Sequence, residues 1–180
     1  NALTRQRTED QHIQIRGFCN EANGHFFVSD KEHPYIQEKP FDWIRGYQVG
    51  GKSIMWARQT QRWSDFDFEG PARDGFAVDW PIRYKDLAPW YSYVEKFAGI
   101  AGNKDGLEEL PDGEFLPAWE LTCVENHFKN FVSKNYKDRH VIFARCAHLT
   151  QPEKIHLDQG RGQCQARNLC QRGCPFGGYF

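Results

Sequence analysis

Two adjacent glycines constrain this chain more than any other feature. They lie in Tyr47-Gln48-Val49-Gly50-Gly51-Lys52-Ser53-Ile54-Met55-Trp56, between an apolar approach and an apolar-aromatic run. Without Cβ atoms the backbone at Gly50 and Gly51 is free to take positive φ and to come close to a large neighbour. Amides exposed in this way can point at an anion or at the polar edge of a ring. A plain Gly-Gly turn between two strands uses the same residues. Spacing alone leaves both readings open.

The rest of the composition narrows the class. The chain has 180 residues, 39% hydrophobic and 26% charged, with a net charge of −1. That is the make-up of a globular domain with a core. No apolar run reaches the length of a spanning helix, and Asn1-Ala2-Leu3-Thr4-Arg5 is not a signal peptide. A soluble protein is expected, cytoplasmic or periplasmic. Near-neutral charge without a Lys/Arg block argues against nucleic acid as a partner. Mean hydropathy is −0.75 although aromatics reach 15% and include six Trp, so the apolar content sits in large rings. Such rings stack on sugars or planar cofactors, or simply build core and interface.

Patterning predicts an α+β fold. His12–Arg16, His25–Val28 and His140–Cys146 read as strands. Leu87, Trp90, Val94, Phe97 and Ala98 recur at helical steps and predict one buried helix face, with Pro89 in its first turn and Gly99 and Gly102 beyond its end. Thr122 and Glu125 fit a capping box that opens a second helix, with Leu121, Val124, Phe128, Phe131 and Val132 as its buried face. His127 lies beside that face as an ordinary histidine. The carboxylates Asp65, Asp67 and Glu69 lack the glycine and the final Glu of a calcium loop, and read as solvated or capping groups.

Other chemistries have weaker support. Cys164, Cys170 and Cys174 place three thiols in eleven residues, with His148 or His156 as a conceivable fourth ligand. The spacing is off-pattern for zinc and for iron–sulfur clusters, and a disulfide or buried thiols fit it as well. There is no G-x-S-x-G elbow and no Walker sequence. Gly160-Arg161-Gly162 begins like a dinucleotide fingerprint, but Gln165 takes the third glycine position.

The Gly-Gly stretch resembles the second flavin-contacting loop of the glucose–methanol–choline (GMC) oxidoreductases, in the branch of pyranose oxidase and gluconate dehydrogenase large subunits. Trp63-Ser64-Asp65-Phe66-Asp67-Phe68, Asp79-Trp80-Pro81-Ile82, Tyr84–Tyr91, Pro111–Phe115 and the Cys170-x₃-Cys174-Pro-Phe-Gly-Gly tail follow in that branch's order. The resemblance covers roughly residues 40 to 180. It implies an α+β fragment: part of an FAD-binding α/β domain plus part of a substrate or cap domain. Residues 1–63 would belong to the FAD domain, 64–150 to the cap, and 151–180 would return towards the FAD domain. It implies Gly50, Gly51, Ser53, Met55 and Trp56 as cofactor-binding residues. Met55 stands where relatives carry a flavin-linked histidine, so the implied FAD is non-covalent.

The family's N-terminal G-x-G-x-x-G unit and its C-terminal histidine segment have no counterpart here. The resemblance therefore implies an internal fragment without a catalytic residue of its own, inactive alone. The implied partners are a small alcohol or carbohydrate substrate and an electron-acceptor protein or quinone. Two alternatives stand beside it: a small Cys-rich metal- or cluster-binding module, and a non-catalytic structural or interaction domain.

Overall fold

The computed structural model describes residues 23–39, 43–167, 170 and 174–180. The expected strand at residues 12–16 and Cys19 lie outside them. The described residues are α+β. They carry helices α1 (Asp65–Phe68), α2 (Gly70–Arg73), α3 (Tyr84–Ala98), α4 (Cys123–Asn135) and α5 (Lys154–Asp158), with strands β1 (Ala101–Gly102) and β2 (Leu116–Pro117). β1 and β2 pair in parallel, Ala101 opposite Leu116. Among the described residues no helix is long and apolar enough to cross a membrane. The chain forms two compact units. One holds residues 1–57 and 168–174, the other residues 58–167 and 175–180.

The core of the second unit is an irregular sheet around residues 145–149. Cys146 exchanges both backbone hydrogen bonds with Ala101. Thr60 donates to the Arg145 carbonyl and Ala147 to that of Arg58, while Leu149 donates to Gly178 and Phe180 to Ala147. Ala101, Leu116 and Leu149 pack together at its centre. The strand expected at His140–Cys146 does not form. The His148 and Thr150 amides bond to carbonyls two residues back. That crimp limits residues 146–150 to single bridges at Cys146 and His148.

α3 starts earlier than expected. Asp86 caps the Arg83 amide at 2.9 Å, so the helix opens at Tyr84 and Pro89 falls inside it rather than in the first turn. Pro89 has no N–H to give to the Lys85 carbonyl, a local weakness that the fold tolerates. The expected buried face is also corrected. Trp90, Val94 and Phe97 are exposed, Trp90 by 66%, and the residues buried on α3 are Glu95 and Ala98. Glu95 receives both ends of the Arg62 guanidinium, at 2.8 and 2.7 Å, and the Glu114 amide at 2.7 Å. Tyr84 and Ser92 accept further Arg62 hydrogen bonds. This bidentate pairing with Glu95 holds the guanidinium protonated.

α4 follows the same pattern. Its capping box forms as read from the sequence, Glu125 N–H to Thr122 Oγ1 and Thr122 N–H to Glu125 Oε2. Yet Val124, Phe128 and Phe131 are exposed and only Val132 of the expected face is buried. Amphipathic periodicity marks the apolar side of a helix; what covers that side is a tertiary matter. Asp67 caps Ser64 and Asp65 accepts the Tyr84 amide, so these carboxylates do serve as caps.

Arg145 is fully buried. It donates to the Pro111 carbonyl at 2.6 Å and to Asp112 at 3.1 Å, beneath the Phe115 ring. The last turn of α3 is closed by side chains from far along the chain. His156 bonds the Lys96 carbonyl at 2.7 Å and Arg161 that of Ala98 at 2.8 Å.

Candidate functional site

The Gly-Gly segment lies in the first unit. Its approach is anchored by Arg45, which is buried among the rings of Tyr35, Trp43 and Tyr47. Arg45 pairs with Asp30 at 2.6 Å and donates to the His33 carbonyl at the same distance. Its own carbonyl accepts the Val28 amide at 3.0 Å. The strand expected at His25–Val28 is instead a 3₁₀ turn, Gly24–Phe26, because the Asn23-Gly24 carbonyls capture the amides of Phe26 and Phe27.

Gly50 sits at φ 93°, ψ −19°, and Gly51 at φ 52°. Both are left-handed, a conformation that costs a side-chain-bearing residue about 1–2 kcal/mol. They open a 3₁₀ turn, Gly51–Ile54. The Ser53 amide and hydroxyl both donate to the Gly50 carbonyl. The Met55 and Trp56 amides share the Lys52 carbonyl, each at 3.0 Å.

The glycines face different surroundings. A Cβ on Gly50 would meet the Ile54 side chain at 2.8 Å, whereas a Cβ on Gly51 would meet nothing within 4 Å. The Gly51 side is therefore open. Gly50 and Ser53 are exposed, and Gly51, Met55 and Trp56 half-buried. The structure thus gathers all five expected cofactor residues in one turn. Met55 is directed back towards Gly46, where its sulfur would lie 2.7 Å from an added Cβ.

Sequence reading missed three contributors: Arg45, Gly46 and Gln48. Arg45 leaves a signal, since aromatic residues flank it two positions either way, at Trp43 and Tyr47. Gln48 and Gly46 leave none, because their roles rest on contacts that only the folded turn creates.

Cys123, Cys164 and Cys174 are free, and the Cys164 sulfur accepts the Ala166 amide at 3.4 Å. Among the described residues no three His, Cys, Asp or Glu side chains gather as a metal site. Both ring nitrogens of His156 are engaged, Nδ1 by the Glu153 amide and Nε2 by the Lys96 carbonyl. Ligation through His156 would break one of these bonds. Burial, with the Arg58 charge beside it, lowers the pKa of His148.

No family model matches the chain. It is similar to the fructose dehydrogenase large subunit of Gluconobacter japonicus, 28% identical over 137 residues, which is 73% of this chain and 24% of that protein. It is similar to the paromamine 6'-oxidase of Streptomyces fradiae, 26% identical over 68% of this chain and 21% of that one. A shorter match, 36% over 56 residues, links it to the 2-methyl-1,2-propanediol dehydrogenase of Mycolicibacterium austroafricanum, 30% of this chain and 10% of that one. The chain spans less than a quarter of the length of each of these relatives. All are named as dehydrogenases or as an oxidase.

Proposed function

We propose that this chain is part of a GMC-type oxidoreductase that oxidises a CH–OH group of a sugar, polyol or other alcohol to a carbonyl, with FAD as a non-covalent hydride acceptor. The Gly50-Gly51 turn lines the cofactor. The observation that carries this reading is the open left-handed turn, in a chain whose relatives are named for alcohol and sugar oxidation.

The residues suit the group. Gly51 leaves one side of the turn with no side chain in front of it, its amide and carbonyl being held by Gln48. The Ser53 hydroxyl gives its hydrogen to the Gly50 carbonyl, which leaves its oxygen as an acceptor. Trp56 brings a half-buried ring to the end of the turn. FAD bound here would supply a hydride acceptor, and the turn would contribute position and electrostatics. No residue of this chain is assigned as the base.

Gly51→Ala in the intact polypeptide tests the assignment. An alanine at this φ costs about 1–2 kcal/mol, which a domain of ordinary stability survives. The added methyl occupies the open side. The expected result is a folded protein with a reduced FAD content. A Gly51→Ala protein that retains FAD as the wild type does would remove the turn from the cofactor site.

A further inference from the structure

We propose that Gly46, Gln48 and Met55 form a brace that fixes the shape of the Gly50–Ser53 turn, and that Gln48 and Met55 are positioning residues for whatever lies on the open side of Gly51. The link to FAD rests on the function proposed above; the brace itself rests on geometry.

Gln48 holds Gly51 twice. Its main-chain carbonyl accepts the Gly51 amide at 2.9 Å, and its side-chain amide donates to the Gly51 carbonyl at 3.0 Å. Both polar groups of Gly51 are thus tied to one residue three positions earlier. A glycine has the largest backbone freedom to lose, so this double tie selects one of its many conformations.

The Gln48 side chain is in turn located by its neighbours. A Cβ on Gly46 would lie 2.8 Å from Gln48 Oε1, 3.1 Å from its Nε2 and 2.7 Å from Met55 Sδ. The carboxamide from the start of the turn and the thioether from its end therefore meet over Gly46. Gly46 serves here by the room it leaves. The unbranched thioether of Met55 can follow such an irregular surface. A methyl group at position 46 cannot enter without displacing the tip of Gln48, of Met55, or of both. It should therefore act on Gly51 through the Gln48 hydrogen bond.

The test uses the intact polypeptide with Gln48→Glu, Gly46→Ala, their combination and Met55→Ala. Gln48→Glu keeps the shape and removes the donor. Amide hydrogen exchange of residues 50–56 is read without FAD, then the FAD dissociation constant, with the melting temperature as a control. Gln48→Glu and Gly46→Ala should each speed exchange in the turn and weaken FAD binding about five- to tenfold, the range of one hydrogen bond. The melting temperature should hold. The double variant should be no worse than the worse single one, because both act through the same contact. Met55→Ala removes the thioether from the brace and should speed exchange in the turn in the same direction.

Unchanged exchange in Gln48→Glu, or effects of the two changes that simply add, overturns the brace. Faster exchange with unaltered FAD affinity overturns the positioning role. A wild type that binds no FAD overturns the cofactor reading, and the exchange data then decide the brace alone.

Discussion

The Gly50–Trp56 turn and the core around Arg145 are stabilised on opposite principles. The turn is held by contacts between residues three to nine positions apart, such as Gln48 with Gly51 and Gly46 with Met55. The core is held by buried arginines reaching far along the chain: Arg62 to Glu95 across 33 residues, Arg145 to Pro111 across 34, Arg58 to the Phe180 carbonyl across 122. A local clamp can be loosened without unfolding the chain. A buried long-range ion pair cannot lose one partner without leaving a charge uncompensated. The turn itself therefore rests on contacts that can be loosened singly, whereas Arg62 and Arg145 sit in pairings that cannot.

Breaking the core should give the largest effect. Glu95→Ala leaves Arg62 buried without its carboxylate and should cost about 3–5 kcal/mol, read as a fall in denaturant midpoint. A cost below about 1 kcal/mol, the level of a surface pair, would show that the pair is not buried in solution. Gly99→Ala comes next. Gly99 sits at φ 73°, and its Cβ would press on Leu149 and His156. Backbone strain and overpacking together predict a loss of roughly 2–4 kcal/mol.

The smallest effect falls on α4. Thr122→Ala removes the N-cap acceptor and should cost about 1 kcal/mol, visible in thermal melts. The partner Glu125 adds a pH signature. The Thr122 amide, then its side chain, lower the Glu125 pKa. A carboxylate lowered in the folded state contributes stability that is present above its unfolded value, about 4.3, and is lost as pH falls through the folded value. Glu125→Gln should therefore flatten that part of the acid limb, while stability at neutral pH drops slightly.

What the sequence made legible follows the same division. Residues that act on near neighbours leave a pattern: the Gly50-Gly51 pair, the Thr122–Glu125 box, and the presence of α3 and α4. The partner of Arg62 left none, because a lone Glu95 on an apolar-looking helix carries no mark of what lies 33 positions before it. The apolar stripes on α3 and α4 exist as the pattern predicts, but of their residues only Ala98 and Val132 are buried. Periodicity reports which side of a helix is apolar, and here the covered side of α3 is the one that bears Glu95. His156 and Arg161, which close the last turn of α3, were hidden by the same distance.

A flavin held non-covalently against the Gly50-Gly51 turn is read by the absorbance spectrum of the intact polypeptide before and after denaturation. The native protein should show a flavin spectrum, and free flavin should pass into the filtrate once the chain is unfolded. A colourless native protein would contradict this, and so would a yellow colour that stays with the denatured chain.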